Sequence, residues 1–127
     1  MWRGAVERAI RGCWGQAFLL EMATALDAMP VKELVADDMV RDDTHVCAIG
    51  AVAVARKLDV SDLDISEGEA VSRTFGIAPA LAREIAYMND EGGPSSGETT
   101  SARWTRMREW VRRNIIPTEL PGEEPKR

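Results

Sequence analysis

The sequence predicts an all-α protein, a compact bundle of four to six helices around a buried central helix. Three observations predict it. Apolar residues recur at steps of three and four along much of the chain, the period of a helix face. One stretch, Val46 to Ala55, carries no charge at all, as suits a helix enclosed on every side. The composition, 45% hydrophobic and 29% charged over 127 residues, fits one folded core and neither disorder nor two cores. The domain is expected over residues 1–116, with a flexible Pro- and Gly-bearing tail at 117–127.

The opening segment, Arg3 to Met29, reads as one helix or two with a bend. Trp2, Val6, Ile10, Cys13, Ala17 and Leu20 mark its apolar face, and Gly12 and Gly15 weaken its middle. Pro30 ends it, because the residue before a proline avoids the helical region. Val31 to Asp43 is short and acidic, with an exposed Asp-rich loop. The central helix is expected from Thr44, a good N-cap, to Leu58. Its valines make a buried strand the competing reading, but its length, its alanines and the Arg56-Lys57 finish favour helix. Ser66 and Glu69 have capping-box spacing, so a short helix is expected from Glu67 to Phe75, stopped by Gly76. Pro79 opens the next helix, which runs to about Asn89 on the face Ile77, Leu81, Ile85 and Met88. The glycines of Glu91 to Thr100 mark a flexible loop. Thr99 or Thr100 caps a last helix that runs to about Ile116, with Trp104, Met107, Trp110 or Val111, and Ile115 buried. Five aromatic residues, Trp2, Trp14, Phe18, Trp104 and Trp110, lie near the chain ends, so the first and last helices are expected to pack together.

Charge narrows the function classes. The net charge of −5 disfavours general binding to nucleic acid or anionic membrane. Acids dominate Asp27 to Asp43, whereas Ser101 to Arg113 holds five arginines and one glutamate. The two cysteines show no pairing pattern, and the first helix is amphipathic where a signal peptide would be apolar. No apolar run reaches the length of a membrane span. A cytoplasmic location is expected.

Three constellations invite chemistry. The first is a thiol site of Cys47 with His45, both expected in the first turn of the central helix, where the helix end lowers a thiol pKa and imidazole accepts the proton. Asp90 or Asn89 would orient the imidazole. Residues two apart on a helix diverge, however, which favours a buried structural cysteine. The second is a helix-turn-helix from Glu69 to Met88 around Gly76, whose second helix offers DNA only Arg83 and Glu84 as polar reach. The third is the last helix, where Arg103, Arg106, Arg108, Arg112 and Arg113 form either a solvated face paired with the chain's own acids or a docking surface for an acidic partner. No metal site is expected. There is one histidine, and the EF-hand-like start at Asp62, Asp64 and Ser66 has its glycine one position late and Arg73 in place of the final glutamate. Asp37, Asp38, Asp42 and Asp43 read as a solvated loop. No glycine loop cradles phosphate, and no cofactor is implied.

Cys47-Ala48-Ile49-Gly50-Ala51, then Met88-Asn89-Asp90, then Thr100, Arg103-Trp104 and Trp110-Val111, resemble a pattern in small uncharacterised proteins of bacteria, phages and prophages. Those have a C-A-(I/L)-G-A core and a later N-D. The resemblance spans roughly Thr44 to Ile116 and implies a compact helical domain and a phage- or prophage-type accessory protein; it transfers no catalytic residue. The function expected is protein–protein interaction, with a protein partner, and a homo-oligomer is compatible with it. A DNA-binding protein and a thiol-dependent enzyme using Cys47 are the alternatives. Asn89-Asp90 also reads physically as a helix end, and a meeting of Asp90 with Cys47 would make either a structural hydrogen-bond lock or a site, the lock being favoured.

Overall fold

The computed structural model describes residues 2–36, 39–42, 45–93 and 97–117. Among them are six α-helices and one pair of very short strands, so the fold is all-α as the sequence predicts. The opening segment is two helices, α1 (Trp2–Arg11) and α2 (Cys13–Ala28), broken at Gly12, whose backbone is extended. Gly15 explains the tightness of the break. A Cβ there would lie 1.9 Å from the Ala9 carbonyl oxygen, so only glycine lets the first turn of α2 press against the last turn of α1. Gln16 fastens this corner. Its amide donates to the carbonyls of Ile10 (2.7 Å) and Asn114 (3.0 Å) and accepts from the Ile116 N–H (2.8 Å), which ties both helices to the end of the last one.

The region after α2 departs from expectation. Val40–Asp42 (β1) and His45–Val46 (β2) pair antiparallel, with Val40 opposite Val46 and Asp42 opposite His45. The expected loop and the first turn of the expected central helix are therefore extended, in keeping with the valines. The helix itself, α3 (Ala48–Arg56), starts later, because Cys47 supplies the cap. Asp37, Asp38, Asp43 and the proposed cap Thr44 lie outside the described residues. The helix is buried only from Ala48 to Ala53, where it sits between α2 and α5; Val54 to Arg56 are exposed, so it is not enclosed on every side. Gly50 is forced by its neighbour, since a Cβ would stand 1.8 Å from the Met39 carbonyl oxygen.

The remaining helices are α4 (Gly68–Phe75), α5 (Pro79–Glu91) and α6 (Thr100–Asn114). The capping box at Ser66 does not form. Ser66 instead bonds the Asp64 carboxylate through its N–H (2.9 Å) and hydroxyl (2.8 Å), and Glu67 occupies the N-cap without a side-chain bond. Gly76 ends α4 in the left-handed region (φ 74°) and Pro79 opens α5, both as read from sequence. Thr99 caps α6 by accepting from the Ala102 N–H at 3.0 Å. The last helix packs on α2, the second half of the opening segment, whereas α1 packs mainly on α5 and α2. Phe18 and Phe75 meet edge to face, 6.0 Å between centroids, and join α2 to α4 in the core. The expected tail falls almost wholly outside the described residues.

Candidate functional site

The residues singled out around Cys47 do converge, but on a closed interior. Asn89, 1% exposed near the end of α5, is the centre. Its side-chain oxygen accepts from the Ala48 N–H (3.1 Å), one of the otherwise unpaired donors at the start of α3. Its amide nitrogen donates to the Val35 carbonyl (2.9 Å) and to the Asp90 carboxylate (2.8 Å). The linker at Leu34 and Val35 is consequently satisfied on all its backbone groups. Leu34 N–H goes to the Thr100 carbonyl (3.0 Å), Val35 N–H to the Val46 carbonyl (2.9 Å), and the Leu34 carbonyl takes Arg103 (3.2 Å). A non-helical linker can be buried here because no donor or acceptor is stranded.

Cys47 faces this interior at 3% exposure. Its sulfur accepts from the Gly50 N–H at 3.4 Å. Burial pushes the thiol up to about 11, with the negative charge of Asp90 adding to the effect against the favourable N–H groups of Gly50 and Ile49. A thiol kept protonated and out of solvent is an N-cap and core filler, not a nucleophile at neutral pH. His45 is exposed on β2, a strand position and not the helical turn expected for it. The hydrogen bonds of this interior centre on Asn89, which joins Ala48, Val35 and Asp90.

The arginine helix divides into an inner and an outer set. Arg103 and Arg106 turn inward. Arg103 Nε donates to the Asn89 carbonyl (2.9 Å), and Arg106 donates to the carbonyls of Met88 (2.6 Å) and Asn89 (3.2 Å). Both meet the largely buried carboxylate of Glu98, at 3.3 Å from Arg103 and 2.6 Å from Arg106. Two guanidinium groups thus cap the negative C-terminal end of α5. Arg108 forms a two-bond pair with Asp27 of α2 (2.7 and 2.8 Å), an ion pair with the chain's own acid of the kind the sequence suggests. Arg112 pairs with Glu109 one turn away, and Arg113 is exposed.

The helix-turn-helix candidate, α4–Gly76–α5, is used as an internal hairpin. Glu84 is 5% exposed and bonds Arg3 of α1 at 3.1 Å, so Arg83, Tyr87 and Glu91 remain on the outer face of α5. Among the described residues no cluster of three or more potential metal ligands exists. No described helix is long and apolar enough to cross a membrane.

One surface feature escapes sequence reasoning. Trp14, expected among the packed aromatics, is 75% exposed. It stands between two shallow clefts. One is lined by Ala9, Gly12, Gly15, Gly76 and Ala78, the other by Ala17, Phe18, Glu21, Arg56 and Phe75. The available signal was the break at Gly12. Once α2 is phased separately, Trp14 leaves the buried stripe of Phe18, Leu19, Met22, Ala23 and Leu26. No protein-family model matches the chain, and neither does any curated protein or solved structure.

Proposed function

We propose that the chain acts by binding another protein chain through the exposed edge of α2 around Trp14. The exposure of that indole carries the reading. Tryptophan is the residue most enriched among the few that dominate binding energy at protein interfaces. Here it projects from a rigid helix beside clefts floored by glycine and alanine, which accept an incoming side chain or backbone. The buried thiol and the inward arginines support the same assignment, since both are employed in holding the fold. The likeness of the motif set to small bacterial, phage and prophage proteins suggests the setting, an accessory or host-modulating role in the bacterial cytoplasm.

Affinity capture from a bacterial host with wild-type and Trp14→Ala baits tests this. The wild-type bait retains a stoichiometric protein partner and the variant loses it, with far-UV circular dichroism unchanged. Equal retention by both baits refutes the role of Trp14, and robust turnover of a substrate without any partner removes the binding reading.

A further inference from the structure

The α2 edge that carries Trp14 is self-complementary. Trp14, Ala17, Phe18, Glu21, Ala25 and Ala28 are spaced three and four apart and so follow one edge of the helix. That edge borders α3. At one end stands the exposed indole. At the other end the two helices part to leave an apolar cleft of about 220 Å³, lined by Ala25, Ala28, Met29, Val31, Ala51 and Val54. Val31 and Val54, on its rim, are 42% and 41% exposed. Midway, Arg56 of α3 reaches across to Glu21 with two bonds of 2.6 and 2.7 Å.

Trp14 and Ala28 each lie seven residues from Glu21, about 10.5 Å along the helix in opposite directions. A two-fold axis through the Glu21–Arg56 pair therefore sets α2 antiparallel to a second copy of itself. Trp14 then stands opposite Ala28 of the second copy, and Ala17 opposite Ala25. A projection and a recess equidistant from one axis are what an isologous interface requires. The charges agree with this. Each Glu21 then faces the second copy's Arg56 as well as its own, and Asp27, the other charge on α2, is already neutralised by Arg108. We infer that the chain forms a two-fold dimer in which Trp14 of each copy seats in the α2–α3 cleft of the other. This rests on the reading of Trp14 as a binding residue and specifies its occupant.

Sedimentation velocity across the micromolar range tests it. The wild type shows a species of twice the 14.0 kDa chain mass. Trp14→Ala and, separately, Ala28→Glu raise the dimer dissociation constant by about tenfold or more. Both positions are exposed in the single chain, so circular dichroism stays that of the folded protein. Cys13 is exposed and Cys47 buried, so a nitroxide reports Cys13 alone. The antiparallel arrangement separates the two labelled positions by about 24 Å along the helix axes. A wild type that stays at single-chain mass overturns the dimer, while the capture experiment with Trp14→Ala still judges binding to a different protein. A dimer that survives both substitutions, or labels in mutual contact, also overturns it.

Discussion

Replacing Asn89 with alanine removes the bonds that hold three segments together. Two of its partners are main-chain groups with no other access to water: the Ala48 N–H, on a residue at 0% exposure, and the Val35 carbonyl, on a residue at 5%. A buried donor or acceptor left without a partner costs about 1–3 kcal/mol, so the two together predict a loss of about 2–6 kcal/mol. That is a large part of the roughly 5–15 kcal/mol that stabilises a domain of this kind. The assay is urea unfolding followed by circular dichroism, compared at constant m-value. Amide exchange at Ala48 gives the local readout, because its N–H loses its acceptor in the variant. Asn89→Asp separates the parts. It keeps an acceptor for Ala48 but loses the donor to Val35 and sets a carboxylate against Asp90. A loss below about 1 kcal/mol for Asn89→Ala, with Ala48 still protected, refutes the claim that this side chain organises the interior.

The other expectations are quicker to state. Gly50→Ala forces a methyl into the Met39 carbonyl and costs about 3 kcal/mol, the upper end of the usual overpacking range. Gly76→Ala meets nothing within 4 Å and pays only for its left-handed backbone, about 1 kcal/mol, so equal losses at the two glycines in thermal unfolding contradict the crowding argument. The Arg106 guanidinium holds the Glu98 carboxyl below its ordinary value of 4.5, and Arg108 and Arg56 do the same for Asp27 and Glu21. A depressed carboxyl pKa stabilises the fold fully above the unfolded value and loses that contribution as pH falls through the folded one. The unfolding midpoint is thus expected to drop below about pH 4.5, and Glu98→Gln to flatten that drop; an unchanged acid profile in the variant counts against the pair. With a disulfide reagent at neutral pH, Cys13 reacts at once and Cys47 only on unfolding; rapid reaction of both thiols in the folded chain restores the enzyme reading.

The parts of the fold legible in the sequence were those written in local chemistry. Pro79 at a helix start, Gly76 in the left-handed position after Phe75 and Thr99 as a cap each depend on neighbours only a few residues away. The apolar period placed the helices for the same reason. What stayed hidden depends on contacts between distant segments. Nothing in the local sequence says that Asn89 will meet Ala48, Val35 and two arginines, or that Asp64 will draw Ser66 away from its capping box. The start of α3 was misplaced because Thr44 is the better cap in isolation. Cys47 takes the position because pairing with β1 holds His45 and Val46 extended and the sulfur already faces the Gly50 N–H. Cys13, Ala17 and Leu20 were misjudged as a buried face, and are exposed, because the phase of α2 was carried through Gly12 from α1, although the break resets it.

The disposition of charge bears on where recognition resides. Sequence alone leaves α6 as either a solvated face paired with the chain's own acids or a basic surface for an acidic partner. Arg103 and Arg106, however, point at the end of α5, and Arg108 is neutralised by Asp27. Arg112 faces Glu109, which leaves Arg113 as the member of the five with no ion pair among the described residues. An exposed pair of this sort contributes little, and salt screens it. The α2 edge is the opposite case. Its one acid, Glu21, is held by Arg56 of α3, so what it shows to solvent is indole, alanine and neutralised charge. A surface of that kind gains from being covered and loses little desolvation free energy, because its charges keep their partners. The Glu21–Arg56 pair that locks α2 onto α3 is therefore compatible with the proposed binding through this edge. Adding salt should weaken such binding far less than it would weaken an arginine-led contact. Strong salt sensitivity of the captured complex would return the assignment to α6.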